Sequence, residues 1–405
     1  MCLPTSYAEL NFNDKNIWYI NPLYNERYYV YPTLYLSNRR HIDLEPIWVE
    51  KYTAIVNISF IDVKSHFFNL SKPDSLVIRI IKGCCRKTYN IKIIRIIPKS
   101  QSNSDFLYRV VYIDYQSIDW NNPANTVKAA IDAGFNIVNL AFYLRSGAAD
   151  MAVAWQGLSQ EVQLDCISYA HQRGAKVLVS AGGATDESMY GVAADEYAKQ
   201  VCDWANANNL DGVDYDLEGI LPGFLLPGKN ADQTYDWFKV LNVTSRSILG
   251  EDKIISHAPQ APYLSQIGSQ GSWAGSRGGY VEVFNSAAAN GGRINFLNVQ
   301  FYNQGTSNYA DYDSIFIKST SNFPYSSISE VSTLTQSNGI PPNSIVYGTY
   351  LQANDGSGFH DPSLIRDYIN KANQDLNWAA GTMLWAWNTS GSPTAPQWVN
   401  IVYQI

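Results

Sequence analysis

From about residue 106 to the end of the chain, short apolar runs and Ala-rich amphipathic runs alternate eight times. This alternation limits the fold more than any other feature. Runs rich in Val, Ile and aromatic residues read as strands, and runs with apolar positions three and four apart read as helices. The predicted strands are VVYIDYQ (110–116), NIVNLAFY (136–143), AKVLVSAGG (175–183), DGVDYDLEG (211–219), KIISHAPQAPY (253–263), RINFLNVQFYNQ (293–304), SIVYGTYL (344–351) and GTMLWAWNTS (381–390). Helices are predicted at 123–134, opened by Asn122 and Pro123 and closed by Gly134, and at 158–174, closed by Gly174. Further helices are predicted at 194–209, over most of 352–380, and at 396–405. Eight such units predict a (β/α)8 barrel. A doubly wound sheet is the rival, but it rarely supplies eight strands. No glycine-rich phosphate loop follows any strand, and SAGGATDES spaces its glycines wrongly for a dinucleotide fingerprint.

Residues 1–105 have another texture. Ala is scarce, and the segments 16–36, 52–63, 75–83 and 89–100 are rich in Tyr, Ile, Asn and Lys. They read as strands, so the expected organisation is an N-terminal β-rich region (1–105) ahead of the barrel (106–405). An irregular extension draped on the barrel is one alternative, and a stretch outside the natural product, from a misassigned gene start, is another. PKSQSNSD (98–105) reads as the linker. The first 105 residues carry 14 Lys and Arg against 9 Asp and Glu, and the remainder carries 15 against 27. An acidic body with no aligned basic helix argues against nucleic-acid binding. The N-terminal region is a candidate for self-association or another protein contact. None of the five Cys has metal-ligand spacing with His, and the pattern is not a disulfide scaffold. No apolar run of 18 residues predicts a membrane span.

The segment DGVDYDLE (211–218) sets four acidic residues into eight positions. Side chains two apart on a strand share a face, so Asp214, Asp216 and Glu218 point one way, and Val213, Tyr215 and Leu217 the other. The carboxylates line the barrel interior, with Glu218 outermost at the C-terminal mouth, where barrel active sites form. Like charges so close share protons, which raises at least one pKa and makes Glu218 a natural general acid. A solvated acidic loop or a structural cation site is the bland alternative. A usual glycosidase sets two carboxylates on either side of the sugar. Acids from one strand favour the exception, in which the substrate's own N-acetyl group is the nucleophile.

These motifs resemble glycoside hydrolase family 18, the chitinases and related endo-β-N-acetylglucosaminidases. DGVDYDLE matches the family's strand-four signature Asp-x-x-Asp-x-Asp-x-Glu, and KVLVSAGG (176–183) resembles its Ser-x-Gly-Gly motif. NIVNLAFY, APQAPY (258–263) and VQFYNQ (299–304) are similar to the short plant and fungal branch, and the resemblance covers roughly 109–405. It implies that Glu218 is general acid and then base, that Asp216 orients the acetamide, and that Asp214 modulates Asp216. Tyr302 would bond the acetamide oxygen. Gln300 would contact the same ring, and Trp385 would form the floor beneath it, with Trp387 on the same face further out. Gly183, Tyr263 and Asp211 complete the substrate-binding candidates, although Asp211, at the strand start, also reads as structural. Asp150, Trp155, Trp273 and Tyr280 could line outer subsites.

The implied function is a retaining endochitinase acting on β-1,4-linked N-acetylglucosamine polymers by substrate assistance, with no cofactor or metal. The short connection between the last two strands favours an open groove and endo cleavage. An endoglycosidase acting on N-glycans and a non-catalytic glycan-binding or storage protein are the alternatives. An extracellular location follows from the substrate, although MCLPTSYAELNFNDKN lacks the basic start and apolar core of a signal peptide.

Overall fold

The structure is a computed structural model. It describes residues 106–265, 277–333 and 339–405, together with seven strands within residues 1–105. The chain forms two compact units, Met1–Gln101 and Ser102–Ile405. In the first, Ile17–Ile20 pairs with Ala54–Asn57. Tyr28–Leu36 pairs with His41–Asp43, Ile47–Val49 and Pro73–Lys82, and the last of these pairs with Cys85–Lys92, every pairing antiparallel.

The second unit is the eight-stranded parallel barrel. Its strands are β1 (Tyr108–Ile113), β2 (Ile137–Leu144), β3 (Lys176–Gly182), β4 (Gly212–Asp216), β5 (Ile254–His257), β6 (Phe296–Gln300), β7 (Ile345–Tyr350) and β8 (Gly381–Trp385). Each pairs with the next, and β8 returns to β1, which also pairs with β2 and closes the ring. Most strands are shorter than the apolar runs that predict them. β5 stops at His257 because Pro259 and Pro262 remove backbone donors, and Ala261–Leu264 turns as a 3-10 helix.

The core lies between the outward strand faces and the helices. Val111, Val138, Leu140, Val177, Val179 and Val213 are fully buried there. Helix Pro123–Asp132 meets them with Ala124, Val127, Ala130 and Ile131, and helix Ala194–Ala207 with Tyr197, Ala198, Val201, Cys202 and Ala205. This three-four spacing is what an amphipathic helix over a sheet requires. Burying each such aliphatic side chain contributes roughly 1.5–3 kcal/mol.

Helix Ala231–Leu249 opens with a capping box between Asn230 and Gln233. Near its end Arg246 donates to the carbonyls of Gly250, Lys253 and Arg293 and to the Asn295 side chain, stitching the floor of the barrel. Asn122 occupies the cap position of helix Pro123–Asp132, but its side chain makes no cap bond. The Asp119 carboxylate takes the Asn121 and Asn122 N–H groups instead. Among the described residues no helix is long and apolar enough to cross a membrane.

Candidate active site

β4 alternates as a strand must. Tyr215 turns outward, where its hydroxyl meets Ser245 Oγ of helix Ala231–Leu249 at 2.7 Å. Asp214 turns inward, into a ring of donors from four other strands. Tyr112 Oη of β1 and Ser180 Oγ of β3 donate to its Oδ2, each at 2.8 Å. Ser256 Oγ of β5 donates to Oδ1 at 2.6 Å, and Asn298 Nδ2 of β6 at 3.1 Å. Burial pushes the Asp214 carboxyl up from its ordinary range, and the four bonds pull it back.

Asp216, two residues nearer the mouth, is equally enclosed but has one side-chain partner, Gln300 Nε2 at 3.0 Å. Burial, then the charges of Glu218 and Asp214, hold its carboxyl well above the usual range. Glu218 stands at the rim, half-buried. Its Oε2 accepts from Gln260 Nε2 at 2.9 Å, and its Oε1 lies 3.5 Å from Gln300 Nε2. Burial raises its carboxyl too, and the two amides lower it. The Gln300 nitrogen also reaches the Ala258 carbonyl at 2.9 Å. Its two protons therefore serve three acceptors, and Glu218 receives the longest of the three bonds. Asp214 is the bonded anchor of the cluster. Burial raises both carboxyls of the pair above it, the direction a general acid requires.

Aromatic side chains surround the pair. Tyr302 is 5% exposed and packs on Tyr350 of β7 with ring centroids 4.3 Å apart. Burial, then Asp216 and Glu218, push its hydroxyl far above the usual range, so it keeps its proton and stays a donor. Trp385 is half-buried between Tyr112, at 5.6 Å, and Phe142, on which it stacks at 5.7 Å. The paired glycines of SAGG make room for this arrangement. A Cβ on Gly182 would lie 2.3 Å from the Asp216 carbonyl oxygen, and one on Gly183 would lie 3.1 Å from the Phe142 ring. Both glycines have positive φ, and Gly183 donates its N–H to the Asp216 carbonyl at 2.8 Å. Among the described residues no group of three or more His, Cys, Asp or Glu could hold a metal ion.

The family model described as "Glycosyl hydrolases family 18" matches residues 108–398, nearly the whole barrel. The chain belongs to glycosyl hydrolases family 18. Two fungal relatives of this family-18 hydrolase are named Endochitinase 4. The one from Metarhizium robertsii is 26% identical over 277 residues, 64% of this chain and 75% of its own length. The one from Metarhizium anisopliae is 26% identical over 277 residues, 64% of this chain and 92% of its own length. Among solved structures, a GH18 chitinase from Pseudoalteromonas aurantia superposes with a TM-score of 0.53 at 25% identity, covering 73% of this chain and 98% of its own.

Within the family-18 barrel, Asp216, Glu218 and Gln300 come together as one hydrogen-bonded cluster, and Asp214 lies beneath them in a network of its own with Asn298. Several other expected site residues lie elsewhere. Asp211 is at the opposite end of β4, where it accepts from Val177 N at 2.9 Å and meets His171 Nε2 at 2.6 Å and Lys176 Nζ at 3.3 Å. Two residues separate it from Asp214, which puts it at the barrel floor, at the end opposite Glu218. Tyr263 is buried edge-on to Phe224, with the Ile220 backbone N–H at its hydroxyl. It braces the loop after β4 and leaves little surface for a sugar.

Trp155 and Tyr280 are fully buried, bonded to the Asn208 carbonyl and to His257. Trp387, beyond the last residue of β8, packs at 2% exposure on Phe135 and not beside Trp385. Asp150 is half-buried near Asp114, beyond the end of β1. Trp273 lies outside the described residues. The apolar loop after β4 packs Phe224 against Tyr235, Phe238 and Tyr280 of its own barrel.

Sequence reasoning missed Tyr112, Ser256, Asn298, Gln260 and Phe142. For Tyr112, Ser256 and Asn298 a signal exists, since each is a polar group inside an otherwise apolar strand, in step with the inward face. Phe142 carries no comparable signal.

Proposed function

We propose that this family-18 hydrolase is a retaining endochitinase that cleaves β-1,4-linked N-acetylglucosamine polymers with the substrate's acetamide as nucleophile. One observation carries the reading: Asp216, the last residue of β4, and Glu218, two residues beyond it, share one amide nitrogen, that of Gln300, at 3.0 and 3.5 Å. Two carboxylates on one wall do not flank a sugar, as a conventional pair does. The names of the fungal relatives support the choice of substrate.

In this mechanism Glu218 gives its proton to the glycosidic oxygen. The acetamide carbonyl oxygen attacks C1 as the C1–O bond breaks, and the alcohol leaves. The acetamide N–H of the oxazolinium ion faces Asp216, whose charge stabilises the developing cation. Tyr302 donates to the acetamide oxygen and Trp385 supports the ring. Glu218, now a carboxylate, takes a proton from water. The water oxygen bonds to C1, the acetamide oxygen leaves it, and the two inversions retain the β configuration.

The test is product analysis on soluble N-acetylglucosamine oligomers, wild type beside Glu218→Gln. Short β-anomeric products are expected, with turnover at least ~10²-fold lower in the variant, the usual scale for losing a general acid. Full activity in the variant would remove Glu218 from the mechanism. Binding without cleavage by the wild type would favour a glycan-binding protein.

A further inference from the structure

The last three residues before the turn beyond β5, Ala258, Pro259 and Gln260, lie past the regular strand but keep its course. The Ala258 N–H donates to the Tyr215 carbonyl of β4 at 2.9 Å, and the Pro259 carbonyl accepts from the Gln300 N–H of β6 at 2.9 Å. Gln260 and Gln300 form a parallel bridge pair. Counting by twos from Ser256 brings Gln260 to the inward face, one level above Ala258. Its backbone is thus pinned between the strand that carries Glu218 and the strand that carries Gln300, and its amide nitrogen stands 2.9 Å from Glu218 Oε2. Gln300 is divided among Asp216, Ala258 and Glu218, so Gln260 is the firm partner of the outermost acid.

We propose that Gln260 is a positioning residue that holds Glu218 as the carboxylate it becomes on giving up its proton, an inference that rests on the hydrolytic reading above. A carboxylate only accepts, so the amide presents its N–H₂ to it. Glu218 returns to its acid form within one turnover, so this bond weights the anionic half of that cycle. A lysine would weight it further, and a leucine would remove it.

The titratable groups around Glu218 are of two kinds. Tyr263, Tyr302 and Tyr350 keep their protons, their hydroxyls being raised chiefly by burial. Tyr190 spends its hydroxyl on the Glu218 carbonyl at 2.5 Å. Asp216 and the Glu187 carboxylate, which lies close over Gly219, are acids themselves.

The experiment compares Gln260→Leu and Gln260→Lys with wild type in the pH profile of kcat on N-acetylglucosamine oligomers. The alkaline limb reports the proton of the Asp216–Glu218 pair. Leucine removes a donor to the carboxylate, so the limb moves to higher pH, with kcat lower by roughly tenfold and KM little changed. Lysine adds a cation, so the limb moves to lower pH. A packing role would lower the rate equally at all pH values.

Limbs that stay put, or move the same way in both variants, would overturn the proposal. A second readout does not need turnover: the ¹³C-carboxyl titration of Glu218, assigned by its loss in Glu218→Gln, should move in the same two opposite directions, and an unmoved titration also overturns it. A wild type that binds but does not cleave would sink the hydrolytic reading, while the titration would still decide the role of Gln260.

Discussion

Replacing Asp216 by Asn is expected to make the barrel more stable at pH 7 while abolishing turnover. Asp216 is fully enclosed, has one side-chain hydrogen bond, and lies between two other carboxylates. The asparagine keeps an amide oxygen for Gln300 and gains an N–H₂ that faces acceptors on both sides.

The sign follows from linkage. The folded-state carboxyl is raised above its ordinary value of 3.8, chiefly by burial and then by Glu218 and Asp214. The unfolded chain therefore releases this proton first as pH rises. Wild-type stability falls from that ordinary value up to the folded-state pKa, by about 1.4 kcal/mol for each pH unit between them. The variant escapes this loss. A gain on the order of 1–2 kcal/mol at pH 7 is expected, the scale on which functional groups are traded against stability.

Urea unfolding followed by tryptophan fluorescence, at pH 7 and again near pH 3.5, measures it. The barrel transition must be resolved from that of the N-terminal unit, since the chain need not unfold in two states. The reasoning fails if the variant is less stable than wild type at pH 7. It also fails if the advantage persists unchanged at the acid pH, where both proteins carry a neutral group.

Two further substitutions probe the walls and floor of the barrel. Gly183→Ala forces a Cβ to within 3.1 Å of the Phe142 ring at a φ of +94°, so it should lower stability by about 1–3 kcal/mol and weaken oligosaccharide binding by displacing Phe142 from Trp385. Titration calorimetry beside urea unfolding reads both, and unchanged affinity would detach Phe142 from the site. Asp211→Ala removes the acceptor of the Val177 N–H and should lower stability by roughly 1–3 kcal/mol, yet leave kcat and KM within about twofold. A large loss of kcat with the fold intact would return Asp211 to the active site.

The barrel and the acidic wall were legible because both depend on period. Asp214 and Asp216 are two apart and share the inward face of β4, and Glu218 keeps that step just past the strand's end. The same rule failed at Trp387, which lies beyond the last residue of β8, although its N–H still donates to the Tyr112 carbonyl of β1. Tyr263 failed for a related reason. The prolines of APQAPY end β5 at His257, and the 3-10 turn that follows points Tyr263 into Phe224. Within that motif Gln260 was in step with Ser256 and Ala258, and it was overlooked in favour of the larger aromatic.

The partners of Asp214 illustrate another limit. Tyr112 is 102 residues away and Asn298 is 84 away, and which polar side chains meet across a ring depends on strand register, which one sequence does not display. Asp211 shows the reverse case. It belongs to the same motif as the catalytic candidates, but its distance along β4 assigns it to the floor.

The Asp214 carboxylate is bonded from β1, β3, β5 and β6, so its surroundings exist only once strands from both halves of the ring have come together. An incompletely assembled barrel would expose that charge to water and leave Asp216 without its neighbours. Turnover therefore doubles as a reporter of ring closure. Fragments split between β4 and β5 should be silent apart and regain activity only on reassociating, with the rate of recovery timing the docking of the two halves.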